Sequence, residues 1–240
     1  MSQAENPYAT WGMTAAEAPT NERTSFIRQT YLHLGGAVLA FVALEALLLQ
    51  LPGIENLVAL MSGNQLSWLL VLGAFVGVSY IADSWAKNTT SISMQYLGLG
   101  LFVVAEAVIF VPLMWFASEF GGKGVLPTAG LLTAIVFCGL TAIVFITGAD
   151  FSFLRTGLYV ATFIALGLIV LSAIIGFNLG IIFIGAMLAV ASGYILYDTS
   201  NVLHHYRIGQ HVAAALALFA SVALLFWYMV QLVLSLTGRD

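Results

Sequence analysis

Three acidic residues lie inside or at the edge of long apolar runs, where an ionisable side chain is energetically unfavourable unless it has a partner or a function. They are Glu45, Glu106 and Asp198. A charged group in hydrocarbon costs at least about 2.5 kcal/mol, so those that remain usually face a polar interior, a water-filled cavity or a partner. Two roles are compatible with them: a path or sensor for protons or cations, or protonated carboxyl groups that hydrogen-bond to neighbouring helices and hold the packing.

Polar groups are concentrated around Asp198, in the stretch SGYILYDTSNVLHHY. Tyr194 lies four residues before Asp198 and Asn201 three residues after it, so both share its face of a helix. Arg155 and Arg207 are expected on the same side of the membrane and are candidate counter-ions. The pattern predicts either an ion- or proton-sensing aspartate or an interfacial aspartate that pairs with an arginine.

Histidines follow the same stretch, at His204, His205 and His211. Histidine is the side chain that titrates near neutral pH, so a pH sensor is one interpretation. The other is that these are solvated residues of a loop. With no cysteine nearby, we expect no metal site here.

Glu45 and Glu106 are expected at comparable depths. At 1.5 Å per residue, Glu45 lies roughly 24 Å and Glu106 roughly 18 Å from the starts of two helices that run in the same direction. If the two side chains face each other they would share a proton, because two like charges in a low dielectric cannot both ionise cheaply.

The elements that position these residues are membrane helices. Of the 240 residues, 61% are hydrophobic and only 8% are charged, with 7 basic and 11 acidic side chains. A helix needs about 20 apolar residues to cross a bilayer. Seven runs of that kind are predicted as spans, at residues 29–51, 66–82, 94–116, 125–147, 156–175, 179–198 and 213–236.

This composition excludes several classes of protein. A soluble domain carries about 25% charged residues, and a net charge of −4 with scattered basic residues does not form a nucleic-acid surface. The lone Cys138 excludes an intramolecular disulfide framework. We expect no cofactor and no nucleic-acid partner, and function within or at the lipid bilayer.

Basic residues predict the orientation, because Lys and Arg favour cytoplasmic loops. Five lie on one side of the predicted topology and two, Lys123 and Arg239, on the other. The five are Arg23, Arg28, Lys87, Arg155 and Arg207. The distribution predicts a multi-pass protein of the inner (plasma) membrane, with a cytoplasmic N terminus and a periplasmic C terminus.

Residues 1–28 are polar and lack a sustained apolar pattern. We expect them to form a disordered cytoplasmic tail, and residues 29–240 to form the membrane domain. Within that domain, Gly73 and Gly77, and the series Gly185, Ala189 and Gly193, have the small-residue spacing that lets helices approach closely.

Several short motifs resemble those of a known family. They are YILYDTSN at 194–201, RQTYLHLG at 28–35 and DFSFL at 150–154, together with a final span that ends in LTGRD. The chain resembles the Bax inhibitor-1 (TMBIM) family of seven-span membrane proteins, and more closely its bacterial YccA-like branch.

The resemblance implies an all-α bundle in which the last helix is surrounded by the other six. Some members of the family are pH-sensitive calcium leaks, in which an aspartate matching Asp198 faces a second aspartate in the last span. The matching position here is Ser221, so a latch of two carboxylates cannot form. Glu45 and Glu106 are not part of the family pattern and are candidates for a site of this chain's own.

Three functions are compatible with these features. The resemblance to YccA-like members, which bind the membrane-anchored AAA protease FtsH and modulate its activity, favours a non-enzymatic FtsH modulator, and a disordered tail would give the protease a handle. The second is a calcium or proton leak through Asp198, with Glu45 and Glu106 along the path. The third, an intramembrane aspartyl protease, is disfavoured because such enzymes need a second aspartate in a GxGD context, and the nearest stretch, TGAD at 147–150, does not match that motif.

Overall fold

The computed structural model describes residues 12–238, and this part of the chain is all-helical. Its eight helices are α1 (Thr20–Leu48), α2 (Ile54–Ser62), α3 (Gln65–Ala86), α4 (Ile92–Phe120), α5 (Val125–Thr147), α6 (Leu154–Ile175), α7 (Gly180–His204) and α8 (His211–Thr237). All except α2 are long and apolar enough to cross a membrane. The prediction of seven spans is therefore confirmed by length and composition.

Local signals set the helix ends. Asn64 and Ser91 precede α3 and α4, and their side chains accept hydrogen bonds from the backbone N–H groups of Ser67 and Met94, which satisfies donors that a helix start leaves free. Gly148 closes α5 in the left-handed region, at a φ of 59° that glycine adopts without strain.

Helix α2 is the one helix in residues 12–238 that was not predicted. Its nine residues span only about 13 Å, too short to cross the bilayer. It buries Ile54 and Val58 against Val111 of α4, so it covers the bundle at the end where α1 finishes.

Helix α8 lies against α1, α3, α4, α5 and α7. Aromatic rings fill much of the space between it and α1 and α4. This aromatic cluster consists of Phe41, Phe102, Phe110, Phe219 and Phe226, whose ring centroids lie 5.0–6.4 Å apart in each contacting pair. Edge-on and stacked rings pack densely and restrict the rotation of the three helices about their axes.

Helices α3 and α4 approach each other closely at Gly98. A Cβ atom there would lie 2.5 Å from the carbonyl oxygen of Ala82 and from the backbone nitrogen of Ala86. The prediction of close packing at Gly73 and Gly77 is wrong, because a Cβ at either position would meet no atom within 4 Å.

The expected disorder of residues 1–28 is corrected for residues 13–28. Helix α1 already begins at Thr20, and Phe26 is buried in the core. Before it, the N–H of Ala15 donates to the carbonyl of Tyr206, and the N–H of Ile208 donates to the carbonyl of Met13. The segment is polar on average, so its helix, which has one apolar face, was not predicted from composition. Residues 1–11 lie outside the described residues.

Candidate functional site

The buried carboxyl group of Asp198 is held by Ser221. Asp198 lies on α7 with 7% of its surface exposed, and Ser221 lies on α8 with 5% exposed. The Ser221 hydroxyl donates a hydrogen bond of 2.5 Å to Asp198 Oδ2. Ser221, the residue that the resemblance placed opposite Asp198, thus contacts Asp198 directly and offers it a neutral hydroxyl.

Neither predicted arginine pairs with Asp198. The two ion pairs found within residues 12–238 join Lys87 to Asp83 and His205 to Asp150. Arg155 instead lies over the ring of Tyr159, 5.8 Å from its centroid, and Arg207 is exposed in the loop before α8. The expectation of an arginine counter-ion is therefore wrong, because Asp198 points into the bundle towards α8 while both arginines lie at its rim.

Tyr194 and Asn201 share the helix of Asp198 but have other partners. The hydroxyl groups of Tyr194 and Thr162 are 2.8 Å apart and join α7 to α6. The backbone carbonyl of Asn201 accepts from the N–H groups of His205 and Tyr206, which ends α7. The Tyr194 side chain therefore links two helices, and neither side chain hydrogen-bonds to the Asp198 carboxyl group.

Glu45 and Glu106 lie at about the same height along the bundle as the aromatic cluster. Glu106 lies one helical turn from both Phe102 and Phe110, and Glu45 lies one turn beyond Phe41, whose ring meets Phe110 edge-on. Glu45 is 6% exposed, and neither of its carboxyl oxygens has a hydrogen-bond partner. The two glutamates therefore lie at comparable depths, as expected, but no hydrogen bond with a shared proton joins them.

Helix α8 separates the glutamates from Asp198. Phe219 is the member of the aromatic cluster on this part of α8, and Ser221 lies two residues later, about 200° around the helix. Asp198 therefore lies on the opposite side of α8 from the cluster, with a helix about 10 Å across between them. The three carboxyl groups do not line one continuous path in this structure.

A polar junction that the sequence did not single out ties the α5–α6 loop to the end of α7. Asp150 Oδ1 accepts from the Ser200 hydroxyl at 3.2 Å and from the Ser152 N–H at 2.8 Å, and His205 Nε2 lies 3.2 Å from Asp150 Oδ2. The Ser200 hydroxyl also accepts from the N–H of Phe151. The spacing of Asp150 and Ser152 is a turn signal that could have indicated half of this junction.

Hydrogen bonding lowers the pKa of Asp150 from its ordinary value of 3.8 to about 2, chiefly through the Ser152 N–H and further through His205. Asp150 therefore stays ionised at neutral pH and holds the junction as a charged acceptor. Of the three histidines His204, His205 and His211, His205 thus has a partner, and His211, the first residue of α8, packs against the ring of His33 with centroids 4.9 Å apart.

The fold and its buried acidic residues define a helical multi-pass membrane protein. A family model described as "Inhibitor of apoptosis-promoting Bax1" matches residues 23–238. The chain belongs to this Bax inhibitor-1 family.

Relatives from distant organisms agree with this assignment. Protein LIFEGUARD 2 of Arabidopsis thaliana is 31% identical over 219 residues, which cover 88% of this chain and 87% of the relative. Bax inhibitor 1 of Schizosaccharomyces pombe is 29% identical over 179 residues, covering 72% and 64%. An uncharacterized protein of Neisseria meningitidis serogroup A is 24% identical over 230 residues, covering 93% and 96%.

Proposed function

We propose that this chain is a non-enzymatic regulatory protein of the inner membrane, of the YccA-like branch, that binds and modulates an FtsH-type membrane AAA protease. The hydrogen bond between Ser221 and Asp198 carries the proposal. Ser221 occupies the position from which a second carboxylate could share a proton with Asp198, as in a two-carboxylate latch or an aspartyl protease dyad. A role that needs contact with a partner, and no pair of carboxylates, fits this Asp–Ser pair best.

In the proposed topology, the N terminus is cytoplasmic, the C terminus is periplasmic and α8 is the central helix. The distribution of Lys and Arg supports the orientation, and the contacts of α8 with five other helices support its central place. Met13 and Ala15 form backbone hydrogen bonds with the α7–α8 loop. The proposed N-terminal handle therefore lies before Met13.

Affinity purification from mild detergent tests the partner. The full chain is purified from cells that make a proteolytically inactive FtsH, and co-purifying proteins are identified by mass spectrometry. We expect the protease or its scaffold in the eluate. The absence of both, with the chain intact and monodisperse, would contradict the proposal.

A second experiment tests the handle. Deletion of residues 2–11 leaves Met13 and Ala15 in place, and we expect a longer half-life in cells with active protease. A chain in which residues 2–11 are replaced by a Gly/Ser segment of equal length is the matched control, since it keeps a segment to grasp. An unchanged half-life after the deletion would show that the protease does not pull from this end.

The second candidate function is a calcium or proton leak, which is favoured by the burial of Asp198 in a membrane helix. Its test is flux into liposomes loaded with a calcium or pH dye, at acidic and neutral pH. A leak through this site requires flux that Asp198→Asn abolishes. Ser221→Asp supplies a second carboxylate beside Asp198, and for a leak through this site we expect it to change the pH dependence of the flux.

A further inference from the structure

A groove with a volume of about 520 Å³ runs between α1 and α4 on the outside of the bundle. One wall is formed by residues of α1 spaced four apart, namely Leu32, Gly36, Ala40 and Leu44. The facing wall repeats the spacing on α4, with Tyr96, Gly100 and Val104. The volume is within the range of about 300–1,000 Å³ that is typical of ligand sites.

The groove has the length of one half of a bilayer. From Leu32 to Leu44, α1 rises about 18 Å, and one leaflet contributes about 15 Å of hydrocarbon. Apart from one end, its lining is made of apolar side chains and glycine. Because the groove has an apolar lining and lies on the outside of two helices that are long and apolar enough to cross a membrane, we expect hydrocarbon to fill it.

The polar end lies towards the N terminus of α1. His33 Nδ1 donates to the carbonyl of Gln29 at 2.7 Å, and His33 Nε2 lies 2.9 Å from the hydroxyl of Tyr96. Tyrosine side chains of this kind concentrate where lipid headgroups meet the hydrocarbon. The groove therefore passes from an interfacial polar end to an apolar end near the middle of the membrane.

A positive charge lies just outside the polar end. Arg28 precedes Leu32 by four residues, so it occupies the same face of α1 one turn closer to the membrane surface. It is exposed, and it takes part in neither of the two ion pairs found in residues 12–238. Guanidinium groups bind phosphate oxygens well, so the charge complements a phospholipid headgroup.

We propose that this groove is a binding site for one phospholipid of the leaflet on the N-terminal side. One acyl chain lies between α1 and α4, the ester region meets His33 and Tyr96, and the phosphate contacts Arg28. The site is independent of Asp198 and of any protease, and the chemistry that it recognises is a phosphate joined to a long acyl chain.

Two glycines allow the groove to be filled without disturbing the fold. A Cβ atom at Gly36 or Gly100 would meet no other atom within 4 Å, and leucine is a better helix former than glycine. Gly36→Leu and Gly100→Leu therefore occupy the space of the acyl chain. Gly167→Leu on α6 is the matched control, because its position is equally open but lies outside the groove.

The experiment titrates the purified full chain with phosphatidylglycerol and, separately, with diacylglycerol of the same acyl chains, and follows binding by native mass spectrometry. We expect one tightly held phosphatidylglycerol. Its dissociation constant should rise at least about tenfold in both groove variants, since losing two or three buried methylene groups has that effect. It should not change in Gly167→Leu, and thermal melting verifies that each variant is folded.

Arg28→Gln tests the headgroup contact. We expect this variant to bind phosphatidylglycerol and diacylglycerol with equal affinity, whereas the wild type prefers phosphatidylglycerol. Equal lipid binding by wild type, Gly36→Leu and Gly100→Leu would overturn the proposal. So would a lipid-free dimer that the groove variants disrupt, which would identify a second copy of the chain as the occupant.

Discussion

Ser221 of α8 donates a hydrogen bond of 2.5 Å to Asp198 of α7, and both side chains are buried. The pair joins the two helices at a point where neither predicted arginine reaches. A buried acceptor that keeps its donor stabilises the fold, and the same acceptor without a donor is costly. The stability of the bundle is therefore sensitive to the loss of either member.

The first prediction concerns this pair. Ser221→Ala leaves the Asp198 carboxyl group buried without a donor, so we expect the free energy of unfolding to fall by about 1–3 kcal/mol. The measurement is unfolding in detergent micelles. Ser235→Ala is the matched control, because that hydroxyl bonds only to a carbonyl of its own helix; a loss of the same size there would contradict the assignment.

The second prediction concerns Glu45, whose carboxyl oxygens have no hydrogen-bond partner. A buried polar group without a hydrogen-bond partner costs folding free energy, and an apolar side chain of similar size removes that cost. We expect Glu45→Leu to melt at the wild-type temperature or above it. A clear drop in melting temperature, with the fold otherwise retained, would mean that the carboxyl group makes an interaction that stabilises the protein.

The third prediction concerns the approach of α3 to α4. Gly98→Ala places a methyl group against backbone atoms of Ala82 and Ala86, which are not free to rotate away. We expect a loss of about 1–3 kcal/mol from overpacking. Gly100→Ala, two residues further along α4 and in open space, should be neutral or slightly stabilising. Equal stability of the two variants would contradict the close contact.

The fourth prediction concerns pH and the junction at Asp150. Because the folded-state pKa of Asp150 lies below its ordinary value, the ionised group stabilises the folded state above pH 3.8, and this contribution is lost as the pH falls towards 2. Asp150→Asn should remove the part of the pH dependence of the unfolding free energy that comes from this group. The effect at pH 7 stays below about 1 kcal/mol, because the side chain is nearly half exposed.

His205→Gln separates the two contributions to the junction. The Ser152 N–H is the main cause of the lowered pKa of Asp150, so most of the acid dependence should remain in this variant. Unfolding curves between pH 2 and pH 7 provide the comparison. If His205→Gln removed as much of the acid dependence as Asp150→Asn, the ion pair and not the backbone N–H would hold the charge.

The helical class and the number of spans could be predicted from the sequence, because both depend on local composition. A run of about 20 apolar residues is a membrane span whatever its neighbours are, and all seven runs correspond to helices. Helix α2 and the start of α1 at Thr20 were missed for the opposite reason. Each has one apolar face that packs on a surface formed by other helices, and that surface cannot be recognised from the segment's own sequence.

The candidate site divides in the same way. The sequence by itself singled out Asp198, Glu45 and Glu106, which are the acidic residues that the described bundle buries, and the family resemblance identified Ser221 as the residue opposite Asp198. Only the tertiary structure decided that the arginines lie elsewhere, that α8 separates Asp198 from the two glutamates, and that α1 and α4 leave a groove open to lipid. Such contacts depend on how each helix is rotated and offset against its neighbours, and that is set by the shapes of packed side chains, which no single run of sequence contains.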